Sequence, residues 1–213
     1  MKEKTDTINQ AMQPRELVVA AFIFTLLGSN ILAVKLIDIG PFVLPAAVIL
    51  YPFCFMLGDV ITEIWGFRYA RQTILLGFAA NFCLTFFLWL GGLLPPSLSW
   101  EHQAAYQSIF GLVPRIVLAS FVAYLAGEIV NSYVLIKIRE KLGPKRLYLR
   151  TIGSSLAGVL LDTAIFITGA FWGLLPKDMF LRLLIGQYIT KITIEALLGT
   201  PLAYLLVGKI GNR

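Results

Sequence analysis

The sequence predicts an all-α integral membrane protein, with six transmembrane helices in one bundle and both termini cytoplasmic. Three observations predict it. Of 213 residues, 58% are hydrophobic and only 14% charged, with a mean hydropathy of +0.79. The apolar runs are long enough to cross roughly 30 Å of hydrocarbon as helices. Lys and Arg, finally, fall unevenly between the loops.

Six stretches have the required length: about 17–37, 43–63, 70–94, 111–138, 152–175 and 179–207. Pro41 and Pro45 separate the first pair, Gly66 the second, Pro95 and Pro96 the third, Gly143 and Pro144 the fourth, and Pro176 the fifth. Helix propensity fails at each of these points and the chain can turn. The expected organisation is a cytoplasmic tail over 1–16, one transmembrane domain over 17–208 and a short cytoplasmic tail over 209–213. Met1 to Glu16 is polar and mixed in charge, without the apolar stretch of a signal peptide, so it is expected to stay in place.

Direction follows from the cations outside the spans. Lys2, Lys4, Arg15, Arg68, Arg71, Lys137, Arg139, Lys141, Lys145, Arg146, Arg150, Lys209 and Arg213 fall on one side. Only Arg115, Lys177 and Arg182 fall on the other. The positive-inside rule puts both termini in the cytoplasm. The net charge of +6 is therefore met by topology and anionic headgroups, and no nucleic-acid partner is needed. Trp100, His102 and Tyr106 lie in the longest outer loop, where Trp and Tyr mark the interface and the single histidine reads as a surface residue. Cys54 and Cys83 have no disulfide or zinc spacing and read as small core hydrophobes.

Seven ionisable residues interrupt the apolar segments: Lys35, Asp59, Glu63, Glu128, Asp162, Lys191 and Glu195. A charge at membrane depth costs at least a few kcal/mol, so such residues face a bundle interior or a cavity and mark a solute or ion pathway. Asp59 and Glu63 are four apart, on one helical stripe with Tyr51 and Phe55. They read either as a solute or proton site or, for Glu63, as an ion-pair partner of Arg68 or Arg71. Lys191 and Glu195 repeat the spacing with opposite signs, one turn after Tyr188. An intrahelical ion pair is one reading, yet Lys191 sits about ten residues from either end of its span, too far to snorkel easily, which favours a cavity. Tyr124, Glu128 and Asn131 share a face of the fourth span. Ser154, Gly158, Asp162 and Phe166 follow at four-residue intervals on the fifth, where the small residues permit close helix approach. Asn30 lies within the first span, with Lys35 near its outer end.

The sequence contains no HExxH, GxSxG, P-loop, His/Cys metal cluster or Asp-rich prenyl-diphosphate motif, so no cofactor or metal is expected. A polytopic transporter is the leading reading. A membrane-embedded hydrolase or transferase using Asp59 and Glu63 as acid and base is the alternative, and a substrate-binding subunit of a larger complex a third. Energy for uptake would come from a gradient, a separate energising subunit or trapping of the solute inside the cell.

The segments SNILAVKLI (29–37), YPFCFMLGDVITEIWGFRYARQTI (51–74), SSLAGVLLDTAIFITGAF (154–171) and KITIEALLGTPLAYLL (191–206) resemble the queuosine precursor transporters, a vitamin-uptake-like family. This resemblance implies a multi-pass carrier in the bacterial inner membrane for a planar, purine-like solute: 7-cyano-7-deazaguanine, its aminomethyl counterpart, or queuine. A homo-oligomer or a separate energising subunit is compatible with it. A guanine-like ring offers neighbouring N–H donors that one carboxylate can accept, and a carbonyl that an amide or ammonium can donate to. Asp59, Glu128, Asp162 and Glu195 are the candidate acceptors, and Asn30, Asn131 and Lys191 the candidate donors, with Glu63 counted among the substrate-binding candidates. Tyr51, Phe55, Trp65, Tyr124, Phe166 and Tyr188 could stack the ring.

Overall fold

The computed structural model describes residues 13–142, 147–194 and 197. Most of the N-terminal tail, Gly143 to Arg146, Glu195, the end of the sixth predicted span and the C-terminal tail lie outside the described residues. Helix α1 spans Pro14–Leu32. Pro at the first helical position costs no hydrogen bond, and the Gln13 backbone N–H donates to Glu16 Oε2 at 3.1 Å. Thr25 and Ser29 are buried in α1 and donate their hydroxyls to carbonyls of their own helix, at 2.9 Å to Phe22 and 2.6 Å to Thr25. Two polar positions are thereby satisfied without a partner helix.

The first departure from expectation follows. Neither the end of the first predicted span nor the start of the second is α-helical. Instead β1 (Leu36–Ile39) and β2 (Phe42–Pro45) pair antiparallel, with Ile39 opposite Phe42 and Leu36 opposite Pro45. Gly40 and Pro41 form the two-residue turn, Gly40 at φ +58° as a tight hairpin requires. Pro41 and Pro45 remove helical N–H donors, and a short 3-10 turn (Ala46–Ile49) then leads into α2 (Tyr51–Trp65). The Ala46 N–H donates to the Lys35 carbonyl at 2.7 Å, closing the base of the hairpin. Non-helical backbone survives in a membrane protein only where protein covers it or it lines a cavity. Here Val43, Leu44 and Pro45 are all buried.

Gly66, at φ +85°, turns the chain from α2 into α3 (Phe67–Leu93). The long outer loop contains a short helix, α4 (Gln103–Phe110), that the sequence reading missed. It folds back on α3 through Tyr106, whose hydroxyl donates to the Leu88 carbonyl at 2.9 Å. His102 is exposed, as expected. Helices α5 (Val113–Leu142) and α6 (Leu147–Phe171) form the most extensive helix pair, and α7 covers Lys177–Ile194. Arg115 on α5 donates to the carbonyls of Gly169 and Trp172, both at 2.7 Å, and holds the two helix ends together.

Two apolar cores result. One joins α1, α2 and α3 through Phe22, Leu26, Leu57, Val60 and Phe78; the other joins β2, α5, α6 and α7 through Val43, Ile116, Ala123, Ile167 and Leu183. Large side chains also point outward, including Phe24, Phe87, Leu118 and Ile129, each more than half exposed. Apolar surface on this scale requires lipid. Cys54 packs against the first core, but Cys83 is exposed on α3, so the expectation of two core cysteines holds for only one. A thiol facing hydrocarbon needs no polar partner.

Among the described residues, four helical stretches are long and apolar enough to cross a membrane: Pro14–Leu32, Phe67–Leu93, Gln103–Ile138 and Gly153–Phe171. Helix α2 has 15 residues and α7, as described, has 18, including Lys177, Asp178, Arg182 and Lys191. The first is short because the hairpin takes the front of its predicted span; the second carries charges at its start and Arg182 on the hairpin, besides the buried Lys191.

The Gly66 position is open, with no atom within 4 Å of an added Cβ, so only its backbone conformation resists substitution. Gly66→Ala should lower unfolding stability by about 1 kcal/mol. The midpoint of thermal unfolding in detergent would show this, and an unchanged midpoint would contradict the turn geometry.

Candidate functional site

Helices α2, α6 and α7 converge on one cation. The Lys191 ammonium donates to Asp162 Oδ2 in a buried ion pair, with the lysine side chain 9% exposed and the aspartate 18%. Its Nζ lies 5.7 Å from the ring centre of Tyr51, 6.0 Å from Phe55 and 5.9 Å from Phe166. The sequence explains each placement. Tyr51 and Phe55 are one turn apart on α2, with rings edge-to-face at 5.7 Å. Asp162 and Phe166 are one turn apart on α6, so a single helical stripe supplies both an anion and a ring. Aromatic faces attract a desolvated ammonium by up to about 2 kcal/mol each.

Close packing of α5 against α6 sets the position of Asp162. A Cβ added at Gly127 would lie 2.9 Å from Asp162 Cβ, and one added at Gly158 would lie 2.9 Å from Asn131 Cβ. Only glycine permits this approach. Gly158 and Ser154 are buried, as a packing role demands, while Gly127 is a partner that the sequence reading missed. Asn131 Oδ1 is buried beside this contact without a hydrogen-bond partner.

The remaining predicted residues are placed differently. Tyr124 is half-buried, its ring 5.6 Å from that of Phe78 in the first core. Glu128 and Asp59 both bear electrostatically on its hydroxyl, so α2 and α5 carry a second polar group. Asp59, Glu63 and Glu128 are exposed. Asn30 is buried, but its amide donates at 3.1 Å to the Leu26 carbonyl of its own helix, a structural bond. Lys35 is exposed beside the hairpin. Trp65 packs on Tyr69, with ring centres 6.2 Å apart. The Tyr188 hydroxyl reaches the Leu156 carbonyl at 3.4 Å and bridges α7 to α6. Glu195, the expected intrahelical partner of Lys191, lies outside the described residues; the partner observed is Asp162.

A family described as "Putative vitamin uptake transporter" matches residues 45–206. The chain belongs to this vitamin uptake transporter family. The matched region takes in every residue of the Lys191 cage and leaves out Asn30 and Lys35. A relative from Bacillus subtilis (strain 168), named "Probable queuosine precursor transporter", is 32% identical over 190 residues, covering 89% of this chain and 82% of the relative. Another from Escherichia coli (strain K12), named "Queuosine precursor transporter", is 25% identical over 170 residues, covering 76% and 72%. No solved structure matches significantly. The family is one of transporters, the class that the intramembrane charges favoured over a membrane-embedded enzyme.

Removing one member of a buried pair strands the other, at a cost of about 3–5 kcal/mol, whereas replacing both with apolar groups is often neutral. Lys191→Met and Asp162→Leu should therefore each lower thermal stability in detergent, and the double variant should recover most of the loss. Additive losses would show that the two charges do not depend on each other.

Proposed function

We propose that this protein imports 7-deazaguanine precursors of queuosine (7-cyano-7-deazaguanine, its aminomethyl counterpart or queuine) across the bacterial inner membrane for use in tRNA. The observation that carries this reading is the Lys191–Asp162 pair, enclosed by three aromatic rings drawn from two further helix turns. The names of the relatives point to the same solute class. A carboxylate beside an ammonium complements the adjacent N–H donors and the carbonyl of a guanine-like edge, and flat rings on either side suit a planar heterocycle. In the structure the two charges satisfy one another. An incoming ring would exchange that contact for bonds of its own, so the solute need repay only the difference.

In this reading the chain crosses the membrane six times with both termini in the cytoplasm. Helices α2, α6 and α7 supply the cage that lies on the pathway, α5 faces it through Glu128, and α1 and α3 complete the lipid-facing frame. The hairpin joins α1 to α2 and packs on α7 beside the cage, so the backbone at this end of the pathway is not helical. Asp59, Glu63 and Glu128 would line the route by which solute reaches the cage. Energy coupling and association with a second copy or an energising subunit are separate matters for purification.

The test is queuosine content of tRNA in a strain lacking both precursor synthesis and its own precursor transporter, supplied with nanomolar 7-cyano-7-deazaguanine. The wild-type gene should restore queuosine, and the Lys191→Met, Asp162→Leu double variant, present in the membrane, should not. No restoration by a wild-type protein that reaches the membrane would overturn the proposed solute.

A further inference from the structure

One turn before Lys191, α7 carries a residue that none of the intramembrane charges called attention to. Gln187 is 6% exposed, and its Oε1 has no hydrogen-bond partner. An unsatisfied amide oxygen costs about 1–3 kcal/mol where water is excluded, so a residue of this kind is retained for a reason. It borders a cavity of about 10 Å³ lined also by Leu44, Pro45, Ala47, Val48, Tyr51 and Thr190. That is room for a single water-sized group.

The position of Gln187 is held from both sides. The neighbouring Gly186 sits so tightly on the hairpin that an added Cβ would meet Phe42 Cβ at 2.8 Å and the Val43 carbonyl oxygen at 3.1 Å. Arg182, one turn earlier, donates to the Pro41 carbonyl at 2.8 Å and lies 3.7 Å from Asp38. Tyr51 belongs both to this cavity and to the ring cage around Lys191. The cavity therefore shares one wall, the Tyr51 side chain, with the candidate site.

Resting on the solute class proposed above, we infer that Gln187 is the specificity residue of this site: its side-chain carbonyl accepts a hydrogen bond from the exocyclic amino group of a guanine-like ring. The cavity has the size of that one group and not of the ring. The ring body lies toward Tyr51 and the Lys191–Asp162 pair, and admitting it requires α7 and the 3-10 segment to part. An amino group entering this space satisfies the stranded oxygen, whereas a ring with hydrogen in its place leaves it stranded. Discrimination of this kind comes from the unpaired polar group, and it exceeds what an apolar pocket can supply.

The experiment is competition against uptake of radiolabelled 7-cyano-7-deazaguanine in the transporter-deficient strain. Unlabelled 7-cyano-7-deazaguanine is compared with its analogue lacking the 2-amino group. Wild type should prefer the amino compound by about tenfold or more. Gln187→Met, similar in volume but with no comparable acceptor, should reduce the preference to near unity. Gln187→Glu, which keeps an acceptor, should preserve it. An unchanged preference in Gln187→Met overturns the assignment and leaves a buried water as the occupant of the cavity. Should that variant fail to insert, Gln187→Glu decides, since loss of the preference there overturns it equally. Absence of any wild-type uptake is a different failure, that of the solute class itself.

Discussion

A buried lysine is the constraint around which this fold is arranged. An ammonium in a low-dielectric interior must be paired, and Lys191 is paired with an aspartate from another helix. That pairing requires α6 and α7 to keep register, and it requires α5 to come close enough to α6 that Gly127 and Gly158 have no room for a Cβ. The rings of Tyr51, Phe55 and Phe166 then close the remaining sides with faces that favour a cation. A buried ion pair is thereby held inside a molecule that turns many large apolar side chains outward.

The hairpin between α1 and α2 follows from the same economy. A continuous helix through residues 33–50 would satisfy its own backbone and leave nothing beside the cage but side chains. Breaking it places Tyr51 in the first turn of α2 and sets Pro45 and Ala47 against α7, where Gln187 faces a cavity. The cost of the break is met locally. The strands bond each other, Ala46 bonds Lys35, and Arg182 caps the Gly40–Pro41 turn. Because α7 rests on β2, displacement of the hairpin and displacement of α7 are mechanically linked, which suits a carrier that must open and reclose around its solute.

Much of the site was legible in the sequence because helical periodicity is local. Four-residue spacing put Tyr51 with Phe55 and Asp162 with Phe166 before any fold was known, and the cost of a buried charge singled out Lys191. Gln187 was not legible, since an uncharged amide in an apolar helix carries no comparable penalty and announces itself only when its oxygen is found without a partner. Asn30 is the converse case. It is polar and buried, yet its own helix satisfies it. The hairpin escaped because its residues are as apolar as the helices around it, and hydropathy does not distinguish an apolar strand from an apolar span.

The sequence by itself determined that the chain lives in a membrane, where its long helices run, and which faces carry charge. Those properties depend on composition and on spacing along the chain, which the sequence contains directly. Only the tertiary structure decided that Lys191 answers to Asp162, that the second predicted span is shortened by a hairpin, and that the two are joined through Tyr51. The ion pair and the shared tyrosine join residues distant in sequence, and packing chooses them, through glycine contacts that let α5 and α6 meet. The hairpin pairs neighbours in sequence, but its burial against α7 is again a matter of packing.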